Sequence, residues 1–240
     1  MSAKRSREPT LIRPALDPTA LPAERADDGL EPLPPERLEI AALRERFRNP
    51  PDHWHVEQHS DRVLLPGVSG EPRPASVLVP IIDRVAGPVV LLTLRPTHLR
   101  RHSGQVAFPG GRVDAHDRDV VHTALREAEE EVGLDPGLVE VVARMPEYMT
   151  GTGFRVTPVV GLVSREAVVV PDPGEVAAAF EVPLAFLMDP RNHERRRYEA
   201  DGASRAFFAM PWGPPGAEPY FIWGATAAML RNLYHFLRAD

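Results

Sequence analysis

Cysteine is absent from the 240 residues. That removes disulfides, thiolate nucleophiles and cysteine-based zinc sites together, and it suits a reducing compartment. No apolar run approaches the ~18 residues that a membrane-spanning helix requires. The N-terminus opens with Lys4, Arg5 and Arg7, but no apolar segment follows them, so no secretory signal is read there. There is no excess of positive charge either. The net charge is −6, which offers neither a nucleic-acid nor a membrane surface. Internal repeats are also missing. The expectation is a soluble cytoplasmic protein that binds a small molecule, its oligomeric state left open.

What is present is an apolar fraction of 43%, enough for a packed core, together with 27 prolines, about twice ordinary usage. Residues 1–35 carry Pro9, Pro14, Pro18, Pro22, Pro32, Pro34 and Pro35 among charges of both signs. They show no sustained period and read as a flexible tail. The apolar positions Leu38, Ile40, Ala41, Leu43 and Phe47 predict a helix over 36–48. Strands are expected at Ala75–Ile82, Val89–Arg95, Gln105–Phe108, Val139–Arg144, Val156–Val163, Val168–Val170 and Ala206–Met210. A last helix is expected over Ala225–Arg238. Strands interleaved with a few helices predict an α/β sandwich around a mixed sheet.

Between those strands, Asp119–Val132 switches to a helical period. Val121, Ala124, Leu125, Ala128 and Val132 make one apolar stripe. Asp117 or Asp119 can cap its start and Gly133 its end, and Pro136 prevents continuation. The same helix carries Glu127, Glu129, Glu130 and Glu131. Like charges four apart on a helix cost about 0.2–0.5 kcal/mol per pair. Glu127, Glu130 and Glu131 fall within an arc of roughly 100°, away from the apolar stripe. Such an arc is either a solvated acidic face or a site for a hard divalent cation, Mg²⁺ or Mn²⁺, which takes one or two carboxylates plus substrate phosphates. Arg126 stands four residues before Glu130 and can pair with it. Upstream, Gly110 and Gly111 form either a plain tight turn or a close backbone approach to a ligand.

Taken together, Gly111 and the run Arg126-Glu127-Ala128-Glu129-Glu130-Glu131-Val132-Gly133-Leu134 resemble the Nudix box, G-x5-E-x7-R-E-U-x-E-E-x-G-U, where U is a bulky aliphatic. The second half matches in spacing. In the first half the acid is Asp117 rather than Glu, and it is separated from Arg126 by one residue more than the box has. Directly before the box, Leu91-Leu92-Thr93-Leu94-Arg95-Pro96 and the residues through Arg100, Gly104 and Phe108-Pro109-Gly110-Gly111 are similar to the added signature of the coenzyme A diphosphatase branch, L-L-T-x-R-[SA]-x3-R-x3-G-x3-F-P-G-G. Pro96 is the one departure. Later pieces, Val156–Gly161, Glu181–Leu184 and Ile222–Ala227, also look like that branch.

The resemblance implies a Nudix hydrolase domain over 36–240, with the α/β/α sandwich of that fold. It implies hydrolysis of the coenzyme A diphosphate to 3′,5′-ADP and 4′-phosphopantetheine. It also implies Glu127 and Glu131 as metal ligands with Glu130 third, the Gly111 carbonyl completing the shell, and Arg126 holding a carboxylate in place. The water-activating base stays open among Glu127, Glu130 and an acid from another loop such as Glu175. Residues 91–112 hold Arg95, Arg100, Arg101 and Arg112 with no acid among them. That charge suits a substrate with several phosphates, with Arg95, Arg100, Arg101, Gly110 and Gly111 as its expected contacts. His98 and His102 are expected at the surface, and Arg191, Arg195, Arg196 and Arg197 in a solvated loop. Two rival readings are another nucleoside diphosphate derivative as substrate, and a catalytically silent nucleotide-binding module of the same fold.

Overall fold

The computed structural model describes residues 17–58, 60–61, 68–96, 104–200, 203–213 and 218–240. The chain runs through β1 (Ala23–Arg25), α1 (Pro35–Leu38), α2 (Ile40–Arg48), β2 (Arg73–Ile82), β3 (Val89–Leu94), β4 (Val106–Ala107), β5 (Gly110–Arg112) and α3 (Val120–Val132). It continues with β6 (Val139–Arg144), β7 (Tyr148–Met149), β8 (Phe154–Val163), β9 (Ala178–Pro183), α4 (Leu184–Leu187), β10 (Glu194–Ala200), β11 (Ala203–Trp212), β12 (Tyr220–Trp223) and α5 (Gly224–Arg238).

The main sheet has the order β4-β3-β2-β8-β6, with β5 beside β2, β7 beside β8 and β9 beside β3. Strands β2 and β8 are parallel, in register from Arg73 with Phe154 to Ile82 with Val163. The other strand pairs of this sheet are antiparallel. Both central strands read as long Val/Ile/Leu runs because both of their faces are covered. Side chains alternate along β2. Leu78 and Ile82 pack with Ala124, Ala128 and Val132 of α3. Val79 and Ile81 pack into the opposite core with Leu43, Phe47, Leu233 and Phe236 from α2 and α5. The expected α/β/α sandwich with a mixed sheet is therefore present. A second, antiparallel sheet, β1-β10-β11-β12, closes the α5 side. Among the described residues no helix is long and apolar enough to cross a membrane.

Several expectations need correction. The stretch expected as one helix over 36–48 is two, because Glu39 is extended with ψ 144°. Val168–Val170 forms no strand. Val168 and Val170 are exposed, and the Val170 amide bonds to the Val132 carbonyl at the end of α3 instead of to a ladder. The strand expected over 105–108 shortens to β4, and pairing resumes only at β5, after Pro109. Residues 17–35, expected as part of a flexible tail, are packed. Strand β1 pairs with β10, Ala26 and Leu33 are buried, and the Tyr234 hydroxyl donates to the Glu31 carbonyl at 2.7 Å. Residues 1–16 of that expected tail lie outside the described residues.

Candidate active site

Helix α3 starts where the Asp119 side chain accepts the His122 amide at 2.8 Å. It ends at Gly133, whose left-handed φ of 64° turns the amides of Gly133 and Leu134 back onto the Glu129 and Ala128 carbonyls. Its apolar stripe lies on the sheet, which aims the carboxylates at β5. Register places Gly111 opposite Ser76 and Gly110 opposite Val77. The approach is close. A Cβ on Gly111 would stand 2.5 Å from Glu127 Oε2, and one on Gly110 would stand 2.5 Å from the Ser76 carbonyl oxygen. At Gly110, where backbone blocks the space and φ is positive, only glycine allows that fit.

Glu131 is 5% exposed. Its Oε2 accepts the Gly110 amide at 3.2 Å, and its Oε1 lies 3.8 Å from Arg95 Nη1. Burial pushes its carboxyl up to about 7, the Gly110 amide and Arg95 oppose that, and the charges of Glu127 and Glu175 add to it. Glu127 is also pushed up, first by burial, with Arg126 opposing and Glu130 and Glu175 adding. Glu130, more exposed, accepts from Arg126 Nη1 at 2.8 Å.

Arg126 is shared. Besides Glu130 it meets Glu127 at 3.0 Å, and its Nε and Nη2 make a two-pronged pair with Asp117 at 2.9 Å each. Asp117 also accepts from the Asp114 amide, the Thr123 hydroxyl and the His122 ring. The Arg126 bonds in particular hold its carboxyl far below the usual carboxylate range. The shorter acid on the longer spacing thus still reaches the box arginine. Thr123 and His122 were not singled out in the sequence. The signal that marks them is their place one turn into a helix that follows an acid.

Arg95 follows β3, and its Nε is buried without a hydrogen-bond partner among the described residues. The loop carrying Glu175 is tied to α3 by the Asp172 amide on the Glu131 carbonyl and to β3 by the Ala177 amide on the Leu94 carbonyl. Arg112 is exposed on β5. Arg100, Arg101, His98 and His102 lie outside the described residues. The basic cluster expected in a solvated loop is largely structural. Arg195–Arg197 belong to β10, and they pair with Asp28, Glu194 and Glu24, while Arg191 pairs with Asp189.

The carboxylates of Glu127, Glu130, Glu131 and Glu175 are set against Arg95 and an Arg126 already engaged by Asp117. A carboxylate excess at a half-buried site, with two members resisting ionisation, fits a hard divalent cation. Among the described residues no three His, Asp or Glu side chains gather into a cage of their own.

The NUDIX domain family description matches residues 72–201, which include both the upstream arginines and the carboxylate helix. A curated relative from Shigella flexneri, "Uncharacterized Nudix hydrolase NudL", is 43% identical over 176 residues, covering 72% of this chain and 88% of that protein. A protein of the same description from Escherichia coli (strain SMS-3-5 / SECEC) matches to the same extent. Among solved structures, a Nudix hydrolase from M. smegmatis, RenU, aligns with a TM-score of 0.42 at 24% identity, covering 55% of this chain and 80% of that one. A C. elegans Ap4A hydrolase aligns with a TM-score of 0.40 at 18% identity, covering 46% and 80%.

Proposed function

Because this chain belongs to the Nudix family, a family of hydrolases acting on phosphoanhydrides, we propose that it cleaves the diphosphate of coenzyme A, with Mg²⁺ or Mn²⁺, into 3′,5′-ADP and 4′-phosphopantetheine. The observation that carries the reading is Arg95. It comes from the upstream signature and lies 3.8 Å from Glu131 of the box, so the two sequence patterns meet in one place. Its buried Nε lacks an acceptor among the described residues, a deficit of about 1–3 kcal/mol that a substrate phosphate oxygen would meet.

In this proposal Glu127 and Glu131 hold the ion, with Glu130 third and the Gly111 carbonyl beside them. A divalent ion bound there would supply Lewis acidity to the scissile anhydride. The acceptor of the attacking water's proton stays open among Glu127, Glu130, which Arg126 steadies on the same helix face, and an acid from another loop such as Glu175. Arg95, Arg100 and Arg101 bind phosphate oxygens, and the bare backbone of Gly110 and Gly111 lets the diphosphate approach the sheet. A cytoplasmic setting belongs to the same proposal and is supported by the cysteine-free sequence.

The test is purified protein incubated with coenzyme A and, in parallel, with ADP-ribose, NADH, diadenosine polyphosphates and nucleoside triphosphates. Each substrate is run with Mg²⁺, Mn²⁺ or chelator. Metal-dependent 3′,5′-ADP from coenzyme A, well above every other product, is the expected result. Preferred cleavage of another panel member would overturn the substrate and leave the phosphoanhydride chemistry standing.

A further inference from the structure

A cavity of about 630 Å³ lies away from the carboxylates, in the size range of small-molecule sites. It sits at a seam. Phe47 and Trp54 come from the chain before the family-matched residues 72–201, and Phe236 comes from the chain after them. Arg144 at the end of β6, with Met145 and Glu147 between β6 and β7, forms the facing wall together with Thr157 and Val120.

The aromatic side is preformed. Phe47 stacks on Phe236 with centroids 5.0 Å apart, and Trp54 meets Phe236 edge-on at 5.6 Å. Trp54 remains half-exposed on the wall. The polar side is under-used. The Arg144 guanidinium is exposed and makes no hydrogen bond or ion pair among the described residues. Glu147 Oε1 has only a long contact with the Thr157 hydroxyl, 3.5 Å, and an Arg155 guanidinium at 3.6 Å, both beyond good hydrogen-bond length.

A ring wall, an unpaired guanidinium and a carboxylate with only long contacts complement a molecule with a flat ring, an anionic group, and hydroxyl or amino donors. We propose that this cavity is a second binding site, for a nucleoside phosphate: the phosphate on Arg144, the base against Trp54, and sugar hydroxyls or a base amino group on Glu147. Two routes measure its distance from the carboxylate centre. Thr157 is in register with Ser76, and Ser76 with Gly111, two strand spacings or about 10 Å. Val120 and Glu127 are two turns apart on α3, again about 10 Å. The site thus neighbours the carboxylates without sharing a lining residue with them.

The test uses AMP as the probe, titrated into the full chain in chelator and followed by tryptophan fluorescence. The sequence has three tryptophans, so Trp54→Phe reports whether the signal comes from this wall. The expected result is saturable binding that loses its signal in Trp54→Phe, weakens about 10–100-fold in Arg144→Ala, and is unchanged in Glu131→Gln. Arg144 is exposed and unpaired, so its removal leaves the fold intact. Absence of binding, binding indifferent to Arg144→Ala, or binding lost in Glu131→Gln would overturn the proposal. So would saturable binding of neutral 1-octanol with none of AMP. Turnover of coenzyme A is read separately and stands or falls on its own.

Discussion

Two buried acidic regions of this molecule behave in opposite ways. On α5, Arg231 is 1% exposed and reaches Glu57 at 2.5 Å, the Ala26 carbonyl at 2.6 Å and the His193 ring at 3.1 Å. His235 meets the same Glu57 oxygen at 2.9 Å, and Asn232 accepts the Glu57 amide. Burial raises the Glu57 carboxyl, but the bonds and charges of His235 and Arg231 outweigh it and bring it down to about 2. On α3, burial is not outweighed, and Glu131 rises to about 7. A buried acid with its partners in place pins chain segments together. One whose partners are incomplete costs stability while it stays ionised, and under the proposed function a divalent cation would complete its partners.

Removing charge should separate the two regions most sharply. Glu127→Gln or Glu131→Gln is expected to lower metal-dependent hydrolysis by about 10³-fold, the several kcal/mol that a metal contributes to the transition state. In chelator the melting temperature of either variant should be unchanged or higher. Glu57→Gln should do the reverse. Breaking its pair leaves Arg231 buried and uncompensated, at about 3–5 kcal/mol, seen as a lower urea midpoint with turnover per folded molecule unchanged. If both sets of variants lost stability alike, the contrast would fail.

A finer division lies within α3. Asp117→Asn should release Arg126 and lower kcat by about 10–100-fold, as is usual for groups that orient ligands, with a parallel loss of Mn²⁺ affinity and little change in KM. A purely structural Asp117 would lower stability and leave Mn²⁺ affinity alone.

The smallest effects are in pH dependence. The folded value of Glu57, about 2, is below its ordinary 4.5, so its contribution is present above pH 4.5 and is lost as pH falls toward 2. Burial also lowers His193, from 6.5 to about 4. Its contribution is full above pH 6.5 and fades as pH falls toward 4. Glu131 is raised above 4.5, so its contribution is full below pH 4.5 and is lost as pH rises through 7. In chelator, the melting-temperature advantage of Glu131→Gln over the wild type should therefore grow from pH 5 to pH 8, while the deficit of Glu57→Gln should stay constant over that range.

The α3 region was legible in the sequence because its signals are local: the apolar stripe, Asp119 and Gly133 at the ends, and carboxylates at helical spacing. Its dependence on Asp117 was less so, since the shortened acid and lengthened spacing compensate only in three dimensions. The α5 region was nearly illegible. Arg231 and Ala26 are 205 residues apart, and neither Glu57 nor His193 belongs to a periodic pattern. Strand β10 hid for a related reason. Its run Glu-Arg-Arg-Arg-Tyr-Glu-Ala reads as polar loop, and it becomes a strand because β1 and β11 flank it on either side. The prolines around β1 likewise masked a segment that the second sheet holds in place. Val168–Val170 misled in the other direction, since β-branched residues without a partner strand remain loop.

The most direct measurement is a Mn²⁺ titration of the metal-free protein, followed by the loss of free Mn²⁺ resonance, on the wild type, Glu127→Gln, Glu131→Gln and Glu57→Gln. The account predicts saturable binding to the wild type and Glu57→Gln, and its loss or marked weakening in both α3 variants. Undiminished binding in Glu127→Gln and Glu131→Gln would contradict the assignment of the α3 carboxylates as the cation site.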